Sequence, residues 1–544
     1  MIKHILFTFI LGSFSLVTHA QSSGFEVLKN LEIMDQVYEY LDLYFVDEPQ
    51  PATLSKTAID AMLKELDPYT VYYHESNIED YRLLTTGQYG GIGALIRKVG
   101  DYIYIAEPYE GNPAQKNGLR AGDKILSIDG KSMAKKPSNE VSSALKGPKG
   151  TTIKVDVERV GEGVKTISIT RDEIKLPDVP YFGMLDKQIG YIKLNGFTQT
   201  ASADVYSAMQ KLETDGMEEL VLDLRGNGGG LLLEAVKIVN FFVPKNQVVV
   251  TTKGRVKTEN HIYNTLADPV APDMPLTVLI DEGSASASEI VAGSLQDVDR
   301  AVIVGGTSFG KGLVQRTYDL KYGSKLKVTI AKYYTPSGRC VQRLEYYDKE
   351  TGSKPKEIAD SLLKTFKTKN GRVVKDGRGI EPDIRIELPE LSKLSVQLIT
   401  KDLVFNYATE YAYNNKSIAK AGEFKLSNEE YAAFKKYVSE QTFEYSTTSE
   451  EQLKKMKISA EKEGYFKDIE AEYQAMLTKL TPSKERDLDK FQEEIRQMLE
   501  NEIVSRYYFQ NGRILDSFKN DPVLQEAKKI LSDNTRYQKI LGKP

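Results

Sequence analysis

Four short, mostly apolar runs alternate with segments of helical spacing in the middle of this chain, and that alternation sets what the region can fold into. The runs are YIKL from Tyr191, ELVLDL from Glu219, LTVLI from Leu276 and AVIVGG from Ala301; helical periods lie between them near Ala203 to Leu212, Leu231 to Phe242 and Ala287 to Leu295. Strand, crossover helix and strand at this spacing imply right-handed crossovers and a largely parallel sheet. The segment KLKVTIAKYY, Lys325 to Tyr334, reads as a further strand.

At 544 residues the chain is long enough for at least three folded units. Residues 21–86 carry helical spacing in Leu28, Leu31, Met34, Val37 and Leu41, broken by Pro49 and Pro51 before a second helix near Leu54 to Leu66. That apolar stripe suits a second copy of the chain, giving a homo-oligomer, as well as it suits packing within one copy. Residues 87–173 are short alternating strands with glycine turns and one helix near Pro137 to Leu145, a small β-rich module. The α/β unit then occupies residues 174–388. Past Pro389 the sequence becomes rich in Lys, Glu, Tyr and Leu, with helical periods at Ser427 to Gln441, Glu450 to Lys462 and Leu488 to Tyr508, so residues 389–544 read as a helical extension.

The first twenty residues, MIKHILFTFILGSFSLVTHA, have a basic start, an apolar run from Ile5 to Val17 and small residues before Gln21. This is the grammar of a secretory signal peptide cleaved after Ala20. The competing reading is a membrane anchor, but the run falls short of the ~20 residues that span hydrocarbon. The expectation is an exported protein, periplasmic or extracellular, at most peripheral to a membrane and without an integral segment after cleavage. A formal net charge of -4 argues against a nucleic-acid partner. Cys340 is the single cysteine, so no intrachain disulfide forms. Of four histidines, His4 and His19 leave with the signal, and neither His74 nor His261 sits in a metal-binding pair. No metal or other cofactor is expected, and hydrolytic chemistry needs a base other than histidine.

Three segments carry candidate chemistry. In DEGSASASEIVAGSLQD, residues 281–297, a strand runs through a turn of small residues into a helix, which exposes a serine on a fixed backbone beside free helix N–H groups. Read from residues alone, Ser284, Ser286 or Ser288 serves equally as nucleophile or as helix cap. VGGTSFGKGLVQ, residues 304–315, contains GGTSFGK, a P-loop spacing; but Gly312 stands where Mg²⁺ needs a hydroxyl, and a strand follows rather than a helix. Read instead as a base, Lys311 lies between glycines that permit close packing, and burial of an ammonium favours its neutral form. Gln315, four residues on, can return to the same side and hold the amine. The third segment, DLRGNGGG at 223–230, is a tight turn whose backbone N–H groups can face developing negative charge; its spacing does not fit a dinucleotide turn.

Together, DLRGNGGG, GSASASEI with AGSLQD, and GTSFGKGLVQ resemble the core motifs of the C-terminal processing peptidases, also called tail-specific proteases. PSGR at 336–339 and GRGIEPD at 377–383 extend the resemblance. It implies a multidomain α+β protein: a crotonase/Clp-like α/β peptidase core, a PDZ module, and helical N-terminal and C-terminal regions. It implies Ser286 as nucleophile, Lys311 as base and Gln315 as its orienter, with the backbone N–H groups of Ala287 and of Gly228 or Gly229 as oxyanion hole. GQYGGIGALI resembles the carboxylate-binding loop of PDZ domains, which places tail capture at Gly91, Ile92 and Gly93. The function implied is a serine endopeptidase acting on protein or peptide substrates bound by their C-termini. The alternative is an inactive PDZ-containing scaffold that binds the same tails.

Overall fold

The computed structural model describes residues 24–75, 78–347 and 355–543; the signal-like residues 1–20 lie outside them. The chain forms two compact units, one on residues up to Glu75 with Arg316–Val328 and Tyr346–Lys354, the other on the remainder.

The first unit holds a helix over residues 24–44, a helix Pro51–Lys64 and a short strand Val71–Tyr73 paired antiparallel with residues 325–327. Proline at the first helical position suits Pro51–Lys64, because that position has no intrahelical acceptor for its N–H. Leu28, Leu31, Met34 and Val37, the stripe anticipated from the sequence, are each about half exposed or more.

The second unit is built around a six-stranded sheet. Its strands in spatial order are Tyr181–Met184, Ile189–Lys193, Glu219–Asp223, Leu276–Ile280, Val302–Gly305 and Ile384–Arg385, antiparallel only at the first pair. The runs are continuously apolar because both faces are covered. Leu220, Leu222, Val278, Ile280 and Ile303 face helices Ala201–Thr214, Leu232–Asn240 and Ala287–Asp297. Their alternates Val221, Leu279, Val302 and Val304 face helices Pro522–Leu531 and Asn534–Ile540, at the far end of the chain. The last stretch of the helical extension is therefore the second cover of the sheet.

The β-rich module has an antiparallel sheet of Ala94–Val99, Tyr102–Pro108, Lys124–Ile128, Thr152–Arg159 and Gly163–Thr170, with helix Ser138–Leu145 beside it. Strict alternation puts Ile103, Ile105, Val155 and Val157 inside. The helical extension from Lys393 to Ser517 has its own core of Leu394, Leu398, Phe434, Ile495 and Ile503. Its helices are well delimited: Ser427 and Glu430 form a reciprocal capping box at Asn428–Ser439. Helix Gln492–Ser517 is broken at Phe509, whose φ of 51° lies outside the helical region. Among the described residues no helix is long and apolar enough to cross a membrane.

Candidate active site

The buried strand Leu276–Ile280 ends in a turn that must reverse within a few residues to start helix Ala287–Asp297. Small residues permit this, since a Cβ on Gly283 would lie 2.9 Å from the Cα of Gly226 in the facing turn. Asp281 fastens the two turns by accepting the N–H groups of Gly226 at 2.8 Å and Gly283 at 3.0 Å. The three serines are not equivalent. Ser284 and Ser288 are fully buried, and their hydroxyls donate to the carbonyls of Leu224 and Asn227, each at 2.9 Å. Ser286 is partly exposed and sits at φ 56°, ψ −111°, a sharp elbow of the kind that costs of order 1–3 kcal/mol and persists only when its surroundings impose it.

Much of that imposition comes from Glu289, three residues into the helix and wholly buried. Its Oε2 accepts the backbone N–H of Ser286 at 2.8 Å and that of Lys311 at 2.8 Å. Its Oε1 accepts Gly310 N–H at 2.7 Å and the Ser308 hydroxyl at 2.6 Å. One carboxylate oxygen thus holds the backbones of both candidate chemical residues. Burial pushes the Glu289 carboxyl above the usual range, and these four donors oppose that rise.

Tyr333 makes a second bridge. Its hydroxyl donates to the Ser286 carbonyl at 3.2 Å, while its backbone N–H donates to Gly312 O at 2.9 Å. Burial raises this phenol well above its ordinary value, so it remains a donor. The glycines beside Lys311 allow the close approach expected of them. A Cβ on Gly310 would meet Arg343 Cβ at 2.6 Å, and one on Gly312 would meet Gln342 N at 2.8 Å. Gln315 donates its Nε2 to Thr329 Oγ1 at 3.2 Å, which fixes the orientation of its amide.

The glycine-rich turn lies against the serine. A Cβ on Gly229 would fall 2.8 Å from Ser286 Cβ and 2.9 Å from Ala287 N, and its φ of 97° also favours glycine. The N–H of Gly229 is occupied, donating to Asn227 Oδ1 at 2.9 Å. A Cβ built on Gly228 meets nothing within 4 Å, so that stretch of backbone faces open space. Behind the turn, Asp223 accepts from Tyr191, Lys193 and Arg225, and Arg225 makes a two-point pair with Asp521 at 2.7 and 3.0 Å. Burial alone would raise the Asp223 carboxyl, but the Arg225 and Lys193 charges win and hold it well below the usual range.

The candidate tail-binding loop is a separate construction. Gly93 has φ 75°, and a Cβ there would meet Asn112 Cβ at 2.6 Å. The carbonyls of Ile92 and Gly93 accept the N–H groups of Ala114 at 2.7 Å and Tyr109 at 2.9 Å, so the loop is anchored through its acceptors. Gly91 closes the strand Gln88–Gly91, which pairs with Asp172–Lys175.

Glu289 and Tyr333 escape the sequence reading. Serine followed three residues later by glutamate reads as an ordinary capping box, and a tyrosine in an alternating strand reads as core.

Three family descriptions match this chain: peptidase family S41 over residues 188–346, a PDZ domain over 83–158, and a probable PDZ-protease C-terminal helical domain over 394–531. Over 373 residues it is 34% identical to a probable CtpA-like serine protease of Staphylococcus aureus, covering 68% of each chain. It is 37% identical to a carboxy-terminal-processing protease of Bartonella bacilliformis over 354 residues, 63% of this chain and 81% of the relative. Among solved structures, a photosystem II D1 C-terminal processing protease is 29% identical, with a TM-score of 0.34, covering 60% of this chain and 92% of that one. With its relatives covered to this extent, the chain belongs to peptidase family S41 and is a serine-type peptidase with a PDZ domain and a C-terminal helical domain.

Proposed function

We propose that this chain is an exported endopeptidase that selects protein substrates by their C-terminal tails and cuts them with a Ser286/Lys311 dyad. The observation that carries the reading is the shared hydrogen-bond acceptor: both backbone N–H groups end on one oxygen of buried Glu289. A serine at a strained elbow and a lysine on a glycine-flanked loop are thereby supported as a pair.

In this mechanism the neutral Lys311 amine takes the Ser286 hydroxyl proton as Oγ attacks the peptide carbonyl carbon. The oxyanion is held by N–H groups of Ala287 and the glycine-rich turn; of the two glycines, Gly228 suits this better, because the Gly229 N–H is already bonded. Collapse expels the amine, which takes the proton from the Lys311 ammonium, and leaves an ester on Ser286. Water, giving a proton to Lys311, then adds to the ester carbonyl; the bond to Ser286 Oγ breaks, and Oγ takes that proton back from Lys311 as the carboxylic product leaves. Gln315, its amide oriented by Thr329, offers its carbonyl oxygen to the ammonium. At the PDZ domain, anchoring of the Ile92 and Gly93 carbonyls leaves the loop's N–H side for a terminal carboxylate.

The test is cleavage of a protein with an unstructured tail. Ser286→Ala and Lys311→Ala should each lower turnover at least about 10⁴-fold while melting at the wild-type temperature. A serine-reactive phosphonate should label wild type alone, and the rate should rise with pH to a plateau as the base loses its proton. Retained proteolysis in either variant would overturn the dyad.

A further inference from the structure

A cavity of about 790 Å³ separates the PDZ domain from the C-terminal helical domain and reaches the glycine-rich turn of the peptidase core. One wall is the PDZ strand Ala94–Val99, which pairs on one side only, with Tyr102–Pro108, so its other edge is open to an added strand. Ala94 and Ile96 pack toward the domain's own core. Leu95 and Arg97 therefore stand on the opposite face.

That opposite face is covered by the helical domain. Arg97 pairs with Asp402 and lies over the Phe405 ring at 4.5 Å; Tyr104, across the strand, meets the same ring edge-on. Glu107, opposite Leu95, takes Arg513 at 3.4 Å, and Arg513 also holds Glu502 at 3.1 Å. Between these contacts the cavity stays open, and Leu95 is 52% exposed within it. Its lining includes Phe197 and Gly229, and a Cβ on Gly229 would lie 2.8 Å from Ser286 Cβ.

An extended tail added to this edge must alternate its side chains between the two faces. With the terminal carboxylate in the Gly91–Gly93 loop, the last and third-last side chains point toward helix Ser138–Leu145. The penultimate and fourth-last point toward Leu95 and the cavity. On an isolated PDZ domain those positions face water; here they face the helical domain.

We infer that the C-terminal helical domain is the second wall of the tail-binding site, reading the penultimate residue of the substrate against Leu95, Gln510 and Arg513 and favouring an apolar side chain there. This rests on the proposed tail capture. The preference follows from the lining: Leu84, Leu95, Phe197 and Phe405 supply apolar surface, while the charges of Arg97 and Arg513 are already compensated by carboxylates. An acidic penultimate residue gains no free cation and loses water. Continuity of the cavity from the open edge to Gly229 identifies its occupant as the substrate chain.

The test uses the full chain carrying Ser286→Ala and short fluorescent peptides, read by anisotropy. Leucine, aspartate or lysine is placed at the penultimate or the third-last position, each peptide as free acid and as amide. Penultimate leucine should outbind aspartate about tenfold, the scale of one buried apolar side chain. Leu95→Asp should invert the choice toward penultimate lysine. Gln510→Glu, at an exposed position of the helical domain, should favour penultimate lysine severalfold and leave the third-last position untouched. If free acids outbind amides but penultimate substitutions and Gln510→Glu change nothing, the helical domain does not read the tail. If amides bind as tightly as acids, tail capture itself is wrong, and this inference falls with it.

Discussion

Glu289 satisfies four donors with two oxygens, and a glutamine in its place keeps only one of those oxygens as an acceptor. Its amide NH₂ would confront either the Ser286 and Lys311 N–H pair, leaving two buried donors unanswered, or the Gly310 N–H and the Ser308 hydroxyl, which can turn to accept, leaving one. Each such loss costs about 1–3 kcal/mol, and displacing the loop by a fraction of an ångström costs alignment as well. Glu289→Gln is therefore expected to lose turnover by about 100-fold or more while also melting earlier; wild-type turnover would show that the shared carboxylate does not align the pair. The segments around Ser286 and Lys311 were legible in the sequence because glycine and serine runs at strand ends mark places where backbone geometry is unusual, whereas the choice of Ser286 over Ser284 and Ser288 came only from the family resemblance. Glu289 was not, since its pattern is that of any helix start, and burial is a tertiary fact. The Gly229 N–H bond to Asn227 was equally invisible, which is why the choice between Gly228 and Gly229 stays open at that level.

Where one strand hands over to one helix, charge does what apolar packing cannot. Asp223 ends the strand Glu219–Asp223, Arg225 opens the glycine-rich turn, and Asp521 is the N-cap of helix Pro522–Leu531, accepting Leu524 N–H at 3.0 Å. The pair of carboxylates around Arg225 links the glycine-rich turn to the far end of the chain. Because the folded-state pKa of Asp223 is depressed below its ordinary value of 3.8, the stability it contributes is present above that pH and is lost as pH falls toward the folded-state value. The unfolding free energy, followed from about pH 6 to about pH 3, should thus drop by about 1 kcal/mol more in wild type than in Asp223→Asn, once other carboxylates are subtracted. Asp223→Asn should itself be less stable near neutrality by about 3–5 kcal/mol, the scale of a broken buried pair. Parallel acid profiles would remove Asp223 from the link. Strands and helices of the core were readable from periodicity, because runs buried on both faces are apolar throughout. The break at Phe509 was not, since neither Pro nor Gly occupies that position and the strain is imposed by what surrounds it.

At the scale of the peptidase unit, a sheet with two buried faces needs two covers, and the chain supplies them from places more than two hundred residues apart. Helical period alone cannot distinguish a helix of the extension's own core from one that covers the sheet, so residues past Pro389 read as one block. Yet Leu488, Ile495 and Ile503 pack among themselves, whereas Val523, Leu524, Ile530, Leu531 and Tyr537 lie on Ile189, Val221, Leu279, Val302 and Val304. Burying one such side chain contributes about 1.5–3 kcal/mol, so five of them outweigh much or all of the 5–15 kcal/mol by which a domain is stable. Tyr537 adds a polar tie, accepting the Leu276 N–H at 3.0 Å beside the strand that leads to Ser286. Ending the chain before Asp521 should therefore leave the core sheet with one bare face, giving aggregated protein without labelling by a serine-reactive probe, although Ser286 and Lys311 are both present. Internal removal of helices Thr448–Glu463 and Glu470–Leu480, which contribute only Leu453 and Tyr473 to buried apolar surface, should leave a soluble, probe-reactive enzyme. A soluble, probe-reactive product from the shorter C-terminal truncation would show that the sheet does not need this cover.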